Sequence, residues 1–208
     1  APNVTSLLLS LNNNAPLTTR EQIVLAHPLA SDPSMTFLSV EKGFVYDLAR
    51  PRNPLQSVAA AAQMEPSSLI LDELAPTFLS FDLDLSQRLL TLYFSEAVNM
   101  SSVNVEGILF LQNRFVASST KYPLSSYSTV ISTEPSRTVV IEVSKFDIDT
   151  IVLLSPNLLT TAENTNIAMA VGTVYDLATP PNAVPVTLFR FAVPVQSFTV
   201  DAVQPKLL

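Results

Sequence analysis

The sequence has no cysteine and no tryptophan, one histidine and only three glycines. Without cysteine there is no disulfide, no thiolate nucleophile and no sulfur-ligated metal. A single His27 excludes a multi-histidine metal centre and leaves a Ser-His-Asp site only that residue to use. Gly43, Gly107 and Gly172 stand far apart, so no Walker or dinucleotide-binding loop can be assembled. Positive charge is also scarce: 11 Lys and Arg against 18 Asp and Glu give a formal net charge of −7. Phosphate backbones need clustered cations, and none cluster along this chain, so nucleic acid is not an expected partner. No apolar run approaches the roughly 18–20 residues of a membrane helix, so no membrane span is expected.

What is present suits a packed protein. Hydrophobic residues make up 48 % of the 208 and charged residues 14 %. That supplies a core and argues against whole-chain disorder. The length fits one large domain or two small ones. Mean hydropathy is +0.34, high for a soluble monomer, which points to apolar surface covered by a neighbour. The chain starts at Ala1 rather than Met and reads as a mature product or an excerpt.

An internal repeat organises the sequence. Gly43-Phe44-Val45-Tyr46-Asp47-Leu48-Ala49 returns 129 residues later as Gly172-Thr173-Val174-Tyr175-Asp176-Leu177-Ala178. The register continues through Pro51/Pro180, Asn53/Asn182, Ser68/Ser197, Asp72/Asp201, Pro76/Pro205 and Leu79/Leu208, giving 12 identities in 37 positions. Upstream, Leu38 lies opposite Ile167. A period of this length is a domain, not a solenoid turn. On this register residues 1–66 match the C-terminal half of a unit, 67–195 a complete unit, and 196–208 the first strand or connector of another.

Alternation identifies strands in the complete unit. Phe81, Leu83 and Leu85 share one face of Thr77–Leu85, with Asp82 and Asp84 on the other. Leu90, Leu92 and Phe94 repeat the pattern after a turn at Ser86-Gln87-Arg88. Gly107–Gln112, Tyr122–Ser132, Thr138–Ser144, a segment around Ile167 and Met169, and Val174–Leu177 read as further strands. Phe146–Leu154 breaks the period of two and suits one or two helical turns. Val184–Val193 is apolar on both faces and reads as a last strand. About seven strands with regular turn signals predict an all-β, antiparallel β-sandwich. The 16 prolines fit loops and edge strands.

The order and spacing of these segments carry a resemblance. Pro76–Leu85, Leu90–Asn99, Ile108–Gln112, the Asp147–Leu154 turn, Ala162–Asn166, Val174–Ala178 and Ser197–Asp201 together resemble a tandem immunoglobulin-like repeat of large extracellular proteins. Such repeats occur in algal and protist surface and mastigoneme-like fibre proteins, and are distantly like S-layer, adhesin and cadherin-like domains. The resemblance implies an Ig-like sandwich in tandem units of about 129 residues. It also implies a structural role in stalks, fibres or hairs at the cell surface, and no catalytic residue.

Individual residues add little chemistry. Asp82 and Asp84 read as a solvated strand face, although paired carboxylates can bind Ca²⁺ or exchange protons. Glu96 and Asp176 could meet at a domain end, but no acidic-glycine loop supports a metal site. No cofactor, metal or catalytic residue is therefore expected. Two N-x-S/T sequons, Asn99-Met100-Ser101 and Asn3-Val4-Thr5, make Asn99 and Asn3 candidate glycan acceptors.

The apolar stretches 58–62 and 186–193, which occupy equivalent positions, are candidate assembly surface. With the connectors and chain end they give Val58, Ala60, Leu188, Phe189, Phe191, Phe198, Val200, Leu207 and Leu208 as assembly residues. A half sandwich exposes an edge and half a core, which recruits strands either from upstream sequence or from a neighbouring molecule. The expected partners are copies of the chain joined head to tail. The rival expectation is an adhesin or carbohydrate-binding module with loop aromatics, for which Tyr122 and Tyr127 are the candidates.

Overall fold

A computed structural model describes residues 32–58, 64–116 and 118–202. The chain divides between Asp72 and Glu73 into two units. That boundary lies six residues beyond the one drawn from the repeat, at 66/67.

The second unit is built from two sheets. The first sheet contains β1 (Phe78–Asp84), β2 (Leu89–Val98), β5 (Thr129–Val130), β6 (Ser136–Glu142) and β9 (Ser197–Thr199). The second contains β3 (Ile108–Leu111), β4 (Lys121–Pro123), β7 (Asn166–Met169) and β8 (Val193–Pro194). Their orders are β5-β6-β2-β1-β9 and β4-β3-β7-β8. Every pair is antiparallel except β1 with β9. The result is a mostly antiparallel two-sheet architecture, compatible with a β-sandwich.

The alternation explains the core. Phe81, Leu83, Leu90 and Leu92 from one sheet meet Ile108, Phe110, Ile167 and Met169 from the other, each at most 1 % exposed. Each contributes about 1.5–3 kcal/mol by leaving water. The period of two slips at register shifts between Phe78 and Ser80 in β1 and between Tyr93 and Val98 in β2. Phe78 and Ala97 are therefore buried where strict alternation does not place them.

Between β6 and β7 lies α1 (Lys145–Leu154). Ser144 caps it, accepting from the Asp147 N–H at 3.0 Å. Ile151 faces the core, while Val152, Leu153 and Leu154 are exposed.

Four segments differ from the sequence expectation. Tyr122–Ser132 is not one strand; it splits into β4 and β5, which belong to different sheets. Val174–Leu177 is a loop with isolated bridges, because the Asp176 side chain binds the backbone N–H groups of Ala178 and Asn182. In 184–193, Pro185 interrupts the ladder, leaving a 3₁₀ turn at Phe189–Phe191 and, from Val193, the two-residue β8. Ser197–Thr199, which the repeat register assigns to the opening of a further unit, pairs with β1, and Phe198 packs on this unit's core.

In the first unit a 3₁₀ turn at Pro33–Met35 is capped by Asp32, whose Oδ1 accepts from Ser34 N–H at 2.7 Å. Isolated bridges pair Leu38 with Met64, Val40 with Val58 and Tyr46 with Pro54.

Candidate functional site

The repeated heptapeptide makes the same loop twice. Gly43 and Gly172 have φ of 84° and 70°. A Cβ there would lie 3.0 Å and 2.8 Å from the hydroxyls of Tyr46 and Tyr175, so both the sign of φ and the close ring call for glycine. Asp176 accepts from Ala178 N–H (3.0 Å), Asn182 N–H (2.7 Å) and Asn182 Nδ2 (2.8 Å). Asp47 accepts from Ala49 N–H (3.0 Å), Asn53 N–H (2.9 Å) and Asn53 Nδ2 (2.8 Å). The Arg50–Pro51 and Thr179–Pro180 bonds are both cis. The backbone and side chain of Asn53 hold the Asp47 carboxyl below its usual range. These carboxylates organise a loop and are already engaged by three donors each.

Asp147 is the most enclosed carboxylate, fully buried at the start of α1. It accepts from Ser128 Oγ (2.6 Å), Tyr122 Oη (2.8 Å), Ser144 Oγ (2.8 Å) and Ser125 N–H (3.2 Å). Burial pushes its pKa up, but these donors together outweigh burial and leave it lowered. Burial and the bond to Asp147 raise the Tyr122 phenol. This cluster ties the β4–β5 crossover to the helix; Tyr122 is thereby half-buried and spent on structure.

Asp82 and Asp84 are also engaged. Tyr93 Oη donates to Asp82 at 2.8 Å, and Gln87 donates to Asp84 from its N–H (2.9 Å) and Nε2 (3.0 Å). Among the described residues, no group of three or more His, Asp or Glu could hold a metal ion. An apolar recess of about 150 Å³ lies between α1 and the first sheet, lined by Leu85, Ile148, Ile151, Val152, Leu158 and Leu159 among others, with no titratable side chain.

The assembly residues divide. Leu188, Phe189, Phe191 and Val200 are exposed. Phe198 is half-buried against the core, and Val58 is half-buried in its bridge to Val40. Ala60, Leu207, Leu208, Asn3 and His27 lie outside the described residues. Asn99 is half-buried, and its Oδ1 accepts from Ser101 N–H (3.1 Å) and Oγ (2.7 Å).

Phe189 and Phe191, candidate assembly residues from the sequence, belong to a patch whose other members, Arg114, Phe115 and Lys121, sequence reasoning missed. Lys121 Nζ sits 3.8 Å from the Phe189 ring centroid, and Arg190 lies 4.6 Å over Phe191. Arg114 lies 4.8 Å over Phe115 and donates to the Ala192 carbonyl at 3.5 Å, tying the β3–β4 loop to the Phe189–Phe191 turn. Phe115 is 77 % and Phe191 62 % exposed. The signal in the sequence is faint: the dyad Arg114-Phe115 and the triplet Phe189-Arg190-Phe191, 74 residues apart. Separately, exposed Tyr127 packs edge-on against Phe146 at 5.1 Å.

The sequence matches no protein-family profile and no curated protein, and no solved structure matches the chain.

Proposed function

We propose that the protein is a structural component of an extracellular filament or cell-surface fibre, built from tandem Ig-like β-sandwiches joined head to tail. On this reading residues 1–66 are the C-terminal half of one unit, 67–195 a complete unit, and 196–208 the approach to the next. Copies of the same chain are its main partners, and N-linked glycans on Asn99 and Asn3 decorate it. It is not an enzyme.

The observation that carries this reading is the exposed patch of Phe115, Leu188, Phe189 and Phe191 on an acidic molecule with high mean hydropathy. Solvated monomers rarely keep such clusters uncovered. Covering four half-exposed side chains contributes about 3–6 kcal/mol. Association costs about 4–15 kcal/mol. The patch alone therefore gives a weak contact, and a stable fibre needs tandem linkage or a second contact beside it.

Electron microscopy of the purified material tests the proposal. Filaments with a regular axial repeat are expected; dispersed globules at all concentrations overturn it. The adhesin reading draws on the Tyr127–Phe146 pair, an exposed aromatic platform of the kind sugars stack on. Saturable binding on a glycan array that Tyr127→Ala abolishes would favour it over the fibre.

A further inference from the structure

The two units share more than a loop. Thr165 Oγ1 donates to Thr161 O at 2.7 Å, and Thr36 Oγ1 to Asp32 O at 2.8 Å. Thr187 N–H donates to Met169 O at 2.9 Å, as Val58 N–H does to Val40 O at 2.9 Å. Val184 N–H donates to Val174 O at 2.8 Å, and Leu55 N–H to Val45 O at 2.7 Å. Bridge Leu38–Met64 reproduces Ile167–Val193. Each correspondence falls on the same offset of 129 residues.

One side of the correspondence is missing. In the second unit β3 closes the other edge of β7, with Leu109 opposite Ala168 and Leu111 opposite Asn166. Just before β3, Asn99 N–H donates to Tyr175 O (2.9 Å), Asn104 N–H to Thr173 O (2.8 Å), and Ala170 N–H to Gly107 O (2.9 Å). Under this cover Ile167 and Val174 are fully buried. The equivalents of the three loop groups are Tyr46 O, Phe44 O and the Glu41 N–H. No described residue meets these, and none pairs with the outer edge of 37–40. Phe37, Leu38, Phe44 and Tyr46 are 41–56 % exposed.

We propose that this face of the first unit, from Phe37 to Asp47, is a strand-acceptor site. Its occupant is a β3-type segment of another repeat of this kind: a polar turn, a glycine opposite Phe44, then four apolar residues. The stated chemistry is that of Asn104–Leu111. The glycine follows from the second unit, where a Cβ on Gly107 would come 2.3 Å from Thr173 Oγ1. A second copy of this chain is the poorer source, since its own β3 is already paired with β7. The inference rests on the repeat reading above and names the contact that the aromatic patch does not supply.

The test uses the full chain and a synthetic peptide with the sequence of residues 98–112. The peptide binds saturably and slows amide exchange about tenfold or more at Phe37, Ser39 and Glu41, whose N–H groups face the open edge. A Gly107→Val peptide does not. In the chain, Ser39→Pro removes one edge donor and abolishes the protection, while exchange at Gly43, Leu55 and Val58, whose N–H groups are bonded within the first unit, stays unchanged, showing that this unit is still folded. Unchanged exchange at the three amides with saturating peptide overturns the inference. So does protection there before any peptide is added, because the chain or a copy would then already fill the edge. Neither result depends on whether micrographs show filaments, so the two proposals fail separately.

Discussion

Asp147 shows how one residue can hold a crossover in place. Its carboxylate is buried, and three hydroxyls and a backbone N–H converge on it. Removing the charge leaves those donors with a weaker acceptor, and an amide at that site turns one acceptor oxygen into a donor facing other donors. Asp147→Asn is expected to cost about 2–4 kcal/mol, read as a lower denaturant midpoint with an unchanged m-value. The pH dependence has a definite sign. The folded pKa lies below the unfolded one, so this stabilisation is complete above the unfolded carboxylate pKa of about 3.9 and is lost as pH falls through the folded value. Acid titration of stability should therefore show a steep limb below about pH 4 that flattens in Asp147→Asn. A parallel limb in both proteins would show that Asp147 is not its source.

At the scale of elements, the close approach of β3 to the Asp176 loop rests on Gly107. Gly107→Ala places a methyl against Thr173 Oγ1 at 2.3 Å. That clash is expected to cost about 1–3 kcal/mol. Removing the Thr173 hydroxyl and methyl leaves its Cβ 3.1 Å away, so Gly107→Ala should cost clearly less on a Thr173→Ala background. A double-mutant cycle in urea measures this coupling; additive effects would mean the strand shifts away freely. Elements of this kind were legible in the sequence wherever one face alternates. β1, β2 and β6 follow the period of two over most of their length, β3 reads as a short apolar run, and α1 follows the loss of the period. The loop at 174–177 was not legible, because Val174 and Tyr175 read as strand formers while the side chain of Asp176 overrides them through its bonds to Ala178 and Asn182. The split of 122–132 was hidden likewise: Asp147, far along the chain, fixes Ser125 and Ser128 where the strand would run on. The heptapeptide repeat was legible as identity, but that it builds a capped loop rather than a strand was not. The aromatic–cation patch needed the fold itself, which brings Arg114 and Lys121 to Phe189 and Ala192.

For the whole molecule, the decisive contrast is between an acidic chain and a patch where cations meet exposed rings. Arg114, Lys121 and Arg190 are three of 11 basic residues in a molecule of formal net charge −7. On the fibre reading proposed above, such a patch would favour an acidic surface on the next copy and disfavour itself, which would select head-to-tail contact over a symmetric pair. On that proposal hydrophobic covering supplies the affinity and charge supplies the orientation. Replacing Phe115 and Phe191 together by serine removes about 1.5–3 kcal/mol of that covering, a loss of about 10- to 100-fold in self-association. Both rings are exposed, so the melting temperature at low protein concentration should hardly move. Sedimentation velocity across a concentration series reads the association, and raising salt should weaken it in the parent chain as the charges are screened. If the double variant associates as strongly as the parent, the patch is an ordinary solvated surface.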